Sequence, residues 1–204
     1  MNLTRTLLLL TMLLLALPVH AQDLTEPARL PYAQTPASPD LTIVGSMGGL
    51  HGTDANAGLA DAILRWRIGT WAGLQLNGRA GYMSHELLRS EGILALALGP
   101  MGQWLVGNWQ VHSAVQATHV HYTSMESWMA TPMANMAGDS SGSVMHRTGV
   151  EVSAGVTWPV LHRWERWQWI VETDLFGNWL PTSPTLNWGA GVRLGVGLQR
   201  LAKE

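Results

Sequence analysis

Along most of this chain, apolar and small or polar residues alternate one by one. The clearest run has Leu186, Trp188, Ala190, Val192, Leu194, Val196 and Leu198 on one parity, with Asn187, Gly189, Gly191, Arg193, Gly195, Gly197 and Gln199 on the other. Side chains of a strand point alternately to its two faces, so this pattern predicts a ribbon with one apolar face. The same alternation predicts strands through Val150–Trp158, Trp167–Leu175, Trp109–Thr118 and Leu74–Tyr82. Weaker alternation places three more over residues 41–51, 57–68 and 91–99, and 57–68 also fits a short helix. The total is eight, an even number, so both ends of the strand region fall on one side.

Connectors are expected near 69–71, 100–104 and 159–165 on that side, and at 52–56, 84–90, 123–142 and 180–185 on the other. One set is short and the other contains a long segment. The longest run exceeds the 9–11 residues with which a tilted strand crosses a bilayer, whereas strands of soluble domains average nearer five or six. The fold class expected is all-β, an eight-stranded antiparallel up-and-down transmembrane barrel over residues 41–200.

The residues before the strands set the address. Arg5 precedes an apolar stretch from Leu7 to Leu17, and Val19-His20-Ala21 follows. The stretch is shorter than the roughly 20 residues of a spanning helix, and the arrangement is that of a secretory signal peptide over residues 1–21. Residues 22–40, with Pro27, Pro31, Pro36 and Pro39, predict a disordered periplasmic lead-in.

Composition sharpens this picture. With no cysteine, the chain has no thiolate chemistry and no disulfide framework. A net charge of −2 and a lone lysine, Lys203, argue against a nucleic-acid surface. Tryptophan (11) far outnumbers phenylalanine (1). Trp66, Trp71, Trp104, Trp109, Trp158, Trp164, Trp167 and Trp169 all flank the short connectors, while Trp128, Trp179 and Trp188 lie on the other side. A girdle at a membrane interface accounts for that sorting.

The signal peptide, alternating strands and loop asymmetry together resemble the small outer-membrane barrel proteins of Gram-negative bacteria. The resemblance is one of pattern over residues 41–200. It implies a place in the outer membrane, with membrane lipid and lipopolysaccharide as surroundings and an unknown partner for the outer loops.

The inward parity carries Asp61, Arg65, Arg79, Glu151, Glu172, Asp174 and Arg193. A turn centred near residue 70 sets Asp61 opposite Arg79. One centred near 182.5 sets Arg193 opposite Glu172, and one near 162 brings Glu151 beside Glu172 and Asp174. Opposite charges across neighbouring strands stabilise each other, and isolated buried charges are too costly to persist. Salt bridges filling the interior are therefore expected. An acidic catalytic cluster at Glu151, Glu172 and Asp174 is the sharper reading, but an eight-stranded barrel is only wide enough inside for side chains.

The fifth strand ends His119-Val120-His121-Tyr122-Thr123-Ser124-Met125-Glu126. Its outward phase places His119, His121 and Thr123 toward lipid. Alternatively, a bulge flips the phase so that Val120 and Tyr122 face lipid. His121-Tyr122-Thr123 is similar to the His-Tyr-Ser of outer-membrane lipid A deacylases, with threonine where that family has serine. By that resemblance His121 would be the base, Thr123 or Ser124 the nucleophile, and Glu126 or Glu151 the orienting carboxylate.

The following loop carries Met125, Met129, Met133 and Met136, with His119, His121 and His146 at its base. Thioethers with imidazoles suit Cu(I), although a methionine stripe is more often adaptable packing. No metal and no cofactor are expected. The first expectation is a non-enzymatic outer-membrane barrel of structural or surface-interaction type. A lipid A-modifying esterase is the alternative, and a soluble carrier would need an apolar lumen that the inward charges contradict.

Overall fold

The computed structural model describes residues 39–53, 55–85, 91–107, 109–124, 144–164, 166–181 and 188–201. Eight strands follow one another: β1 (Pro39–Gly52), β2 (Ala55–Arg67), β3 (Ala72–His85), β4 (Glu91–Val106), β5 (Trp109–Ser124), β6 (Met145–Trp164), β7 (Trp167–Trp179) and β8 (Trp188–Leu201). Each pairs antiparallel with the next, and β1 pairs antiparallel with β8, so the sheet closes into a barrel with no free edge. The described residues belong to one compact unit, Ala37–Glu204. Residues 1–38, with the expected signal peptide and most of the lead-in, lie outside those described.

The alternation read from the sequence is the alternation of burial. In β2, Ala55, Ala57, Leu59, Asp61, Ile63 and Arg65 are buried, while Asn56, Gly58, Ala60, Ala62, Leu64 and Trp66 are exposed. A helix would bury every third or fourth position instead, so the helical alternative for 57–68 is set aside. The strand is 13 residues long, and the longest, β6, has 20.

Three expectations about boundaries are corrected. The connector expected at 100–104 is strand, since β4 continues to Val106 and the chain turns at Gly107, whose φ of 62° suits a residue without Cβ. Pro100 has no N–H to donate, yet it keeps its place opposite Leu74 of β3. The connector expected at 159–165 is also mostly strand, because β6 continues to Trp164. A register shift between Pro159 and Arg163 accommodates this proline, as bulges commonly do. At the other end of the chain, β1 begins at Pro39 rather than Leu41, with Pro39 paired to Leu201 and Asp40 ion-paired to Arg200 at 2.9 Å.

Candidate functional site

Inside the barrel, two large zones of side chains are accompanied by a smaller apolar cluster of Val44, Ile63 and Ile170. Toward the end that carries the connector 125–144, Leu50, Leu59, Met83, Ile93, Val120, Tyr122, Phe176 and Leu180 pack with Ala55 and Ala57 into an apolar layer. Beneath it lies a charged layer in which Arg65, Arg79 and Arg193 meet Asp61, Glu151, Glu172 and Asp174, all buried. The inward parity of the sequence holds these apolar residues as plainly as it holds the charges, so the signal for the apolar layer lies in the same alternation.

Each guanidinium engages carboxylates from more than one direction or with both of its ends. Arg65 holds Glu172 in a two-pronged pair, Nη1–Oε2 2.5 Å and Nη2–Oε1 2.8 Å, while its Nε donates to Gln75. Arg79 donates from Nε to Asp61 at 2.6 Å and from Nη1 and Nη2 to Glu151 at 2.8 and 3.1 Å. Arg193 donates to Asp174 at 2.5 Å and to Glu151 at 3.2 Å. Such forked, charge-assisted bonds are the strong ones.

Further polar side chains complete the layer. Asn77 donates to both Gln116 and Glu151, Thr157 donates to Glu172, and His112 Nε2 lies 3.4 Å from Asp174. The Asn178 amide, with its nitrogen toward Glu151 and its oxygen toward Arg79, makes bonds of 2.8 and 3.2 Å. The ring of Phe176 roofs the charges, with the Cζ atoms of Arg79 and Arg193 at 4.8 and 4.4 Å from its centroid. Between the two zones lies a cavity of about 10 Å³ bounded in part by Arg79, Tyr122 and Asn178, the space of one water molecule.

Two expected pairings across strands are corrected. Arg193 stands opposite Asp174, and Glu172 opposite Gly195. Glu151 stands opposite Asn178 rather than beside Glu172 and Asp174, because the β6–β7 turn is centred near residue 165. Moving a turn centre by one residue moves every partner by two, which keeps the face and changes the neighbour. Asp61 does stand opposite Arg79. With Glu151, Glu172 and Asp174 each held by an arginine, these carboxylates form no substrate-facing acidic cluster.

Outside, at the far end of β5, the phase continues without a bulge. Val120 and Tyr122 point inward, 4% and 3% exposed, which overturns the flipped-phase alternative. His119 and His121 point outward, and His146 of β6 lies directly across the ladder from His121. The His121 ring centroid is 4.7 Å from that of His119 and 4.3 Å from that of His146. Nδ1 of His146 lies 3.3 Å from Nε2 of His119.

Thr123 makes no hydrogen bond to the candidate base, since its buried Oγ1 bonds to no described residue. Glu151 sits in the lumen, on the opposite face of the sheet from His121, and cannot orient it. Glu126 and the methionines at 125, 129, 133 and 136 lie outside the described residues.

No protein-family model matches this sequence, and no curated protein matches it. Among solved structures, the barrel is similar to neisserial surface protein A (9% identity, 79% of this chain and 96% of the other, TM-score 0.49). It is similar also to the outer membrane protein OprG of Pseudomonas aeruginosa (10% identity, 83% and 99%, TM-score 0.46). A third similar structure is the N-terminal β-barrel domain of OprF of the same organism (10% identity, 78% and 98%, TM-score 0.42).

Proposed function

We propose that this protein is an outer-membrane β-barrel of structural or surface-interaction type, exported by its signal peptide, whose lumen is plugged by its own ion pairs. One observation carries the reading: the distribution of polarity is inverted relative to a soluble protein. Arg65, Arg193, Glu151, Glu172, Asp174, Gln75 and Gln116 are buried inside, while Met47, Leu96, Leu98, Leu175, Leu194 and Val196 are more than half exposed on the outside. An outer band of this kind is soluble only in lipid, where a closed barrel also satisfies every backbone group.

Exposed tryptophans edge the band. Trp66, Trp71, Trp109 and Trp169 lie at the short-turn end, and Trp179 stacks on Trp188 at the other with centroids 5.7 Å apart. In this reading the short turns face the periplasm. The opposite strand ends, at His85, Ser124 and Trp179, face outward, beside lipopolysaccharide and within reach of a surface partner.

The test is electrophoretic mobility with and without boiling, together with membrane fractionation and planar-bilayer recording. A heat-modifiable band in the outer-membrane fraction and no steady conductance are expected. A soluble periplasmic protein would overturn the membrane assignment, and an open channel would overturn the plug.

A further inference from the structure

We propose that His119, His121 and His146 form a binding site for one divalent transition-metal ion, of the zinc class, on the outer face of the barrel. The chain has eight histidines, and three of them converge here from two neighbouring strands. One ligand nitrogen can be chosen from each ring so that all three lie within 4.8 Å of one another. Two ligands of a tetrahedral zinc ion, at 2.0–2.1 Å from the metal, stand about 3.3 Å apart. That separation is already present between His146 Nδ1 and His119 Nε2.

The backbone beneath these rings is a regular ladder, with His121 opposite His146 and His119 opposite Thr148, so the donors are held on a rigid element as a metal site requires. Three neutral imidazoles suit Zn²⁺, Cu²⁺ or Ni²⁺ rather than Mg²⁺ or Ca²⁺, which take oxygen ligands. Three protein ligands leave one tetrahedral position for water or for a donor from outside the barrel wall. His119 and His146 are exposed and lie beyond the level of Trp179, which pairs with Val150 and through it with Ala117, so an ion can reach them from the outer aqueous side. The charged lumen also brings His112, Glu172 and Asp174 together, but Arg65 and Arg193 already occupy its carboxylates.

The experiment is calorimetric titration of the full chain, folded in detergent micelles and stripped of metal, with zinc chloride. Cobalt absorption is recorded alongside, to report tetrahedral nitrogen coordination. The expected result is one ion per chain, with affinity reduced by at least about 10–100-fold in His119→Ala and in His146→Ala, since loss of a ligand exceeds the loss of an outer-shell partner. Heat-modifiable mobility confirms that each variant is folded, and His146→Gln replaces His146→Ala if the latter is not. His51→Ala, a histidine paired to Asn56 instead, should bind as the parent does. Equal affinity in parent and His146 variants, loss of binding in His51→Ala, or no uptake by the parent would each overturn the assignment.

Discussion

Arg193 of β8 stands directly opposite Asp174 of β7, with Nη2 2.5 Å from Oδ2, while its Nη1 reaches Glu151 on β6 at 3.2 Å. One side chain thus ties three strands together. Replacing it by alanine leaves Asp174 without its guanidinium and Glu151 with Arg79 as its one remaining arginine, and breaking a buried pair costs about 3–5 kcal/mol. Urea unfolding in lipid vesicles should show Arg193→Ala weaker by about that amount. Arg193→Lys should recover little, because one ammonium lacks the fork that spans both acids.

Phe176 lies under the apolar layer and over two guanidiniums. Removing its ring creates a cavity at the junction of the zones. Phe176→Ala should destabilise by about 3–5 kcal/mol in the same assay. Phe176→Leu should cost less, since it keeps the layer filled and loses chiefly the contact of each cation with the ring, which is worth up to about 2 kcal/mol when desolvated. Indistinguishable costs for the two variants would mean that filling this space contributes nothing.

Val115 lies on the outward face of β5, 48% exposed, roughly midway between Trp109 and His121. On a soluble protein Val115→Arg would change stability by only about 0.5 kcal/mol or less. At a bilayer midplane the same change costs about 2–4 kcal/mol. Folding free energy measured in vesicles separates these outcomes, and a near-zero effect would count against a lipid-facing position.

Gly155 faces the lumen beside the His112–Asp174 contact. A Cβ there would come within 2.6 Å of His112 Nε2 and of the Thr173 carbonyl, and within 2.7 Å of Asp174 Oδ1. Because one of these is backbone, the strand itself has to shift, and Gly155→Ala should cost about 1–3 kcal/mol. Gly45, where an added Cβ meets nothing within 4 Å, provides the contrast. There alanine should be neutral or stabilising by about 0.4–1 kcal/mol, through the entropy of the unfolded chain. Chemical denaturation of the pair measures both signs.

The face of each residue was legible in the sequence because parity is a local property. Asp61, Arg79, Glu151 and Arg193 could be placed inside without knowing any partner. Register was legible only where a turn was short and central: residue 70 sets Asp61 against Arg79, whereas the centre of the 180–187 connector was not marked, and Arg193 moved from Glu172 to Asp174. Pro100 and Pro159 read as turn residues because proline usually ends a central strand. The strand pairing tolerates one opposite Leu74 and passes the other at a register shift. The histidine cluster was half visible, since the spacing of His119 and His121 puts them on one face, but His146 joins them only through the β5–β6 register.

The ladder between β1 and β8 joins Asp40 and its neighbours to residues near Arg200. Every other ladder links strands adjacent in sequence, so hairpins from β1–β2 onward have their partners as soon as they are made. The seam alone waits for the last strand. Closure is therefore the pairing of greatest sequence separation and carries the largest loop-closure entropy, and until it happens two unpaired edges stand open to any other strand they meet. Those edges stay open to addition for the whole interval, and the exposure ends when Pro39 meets Leu201.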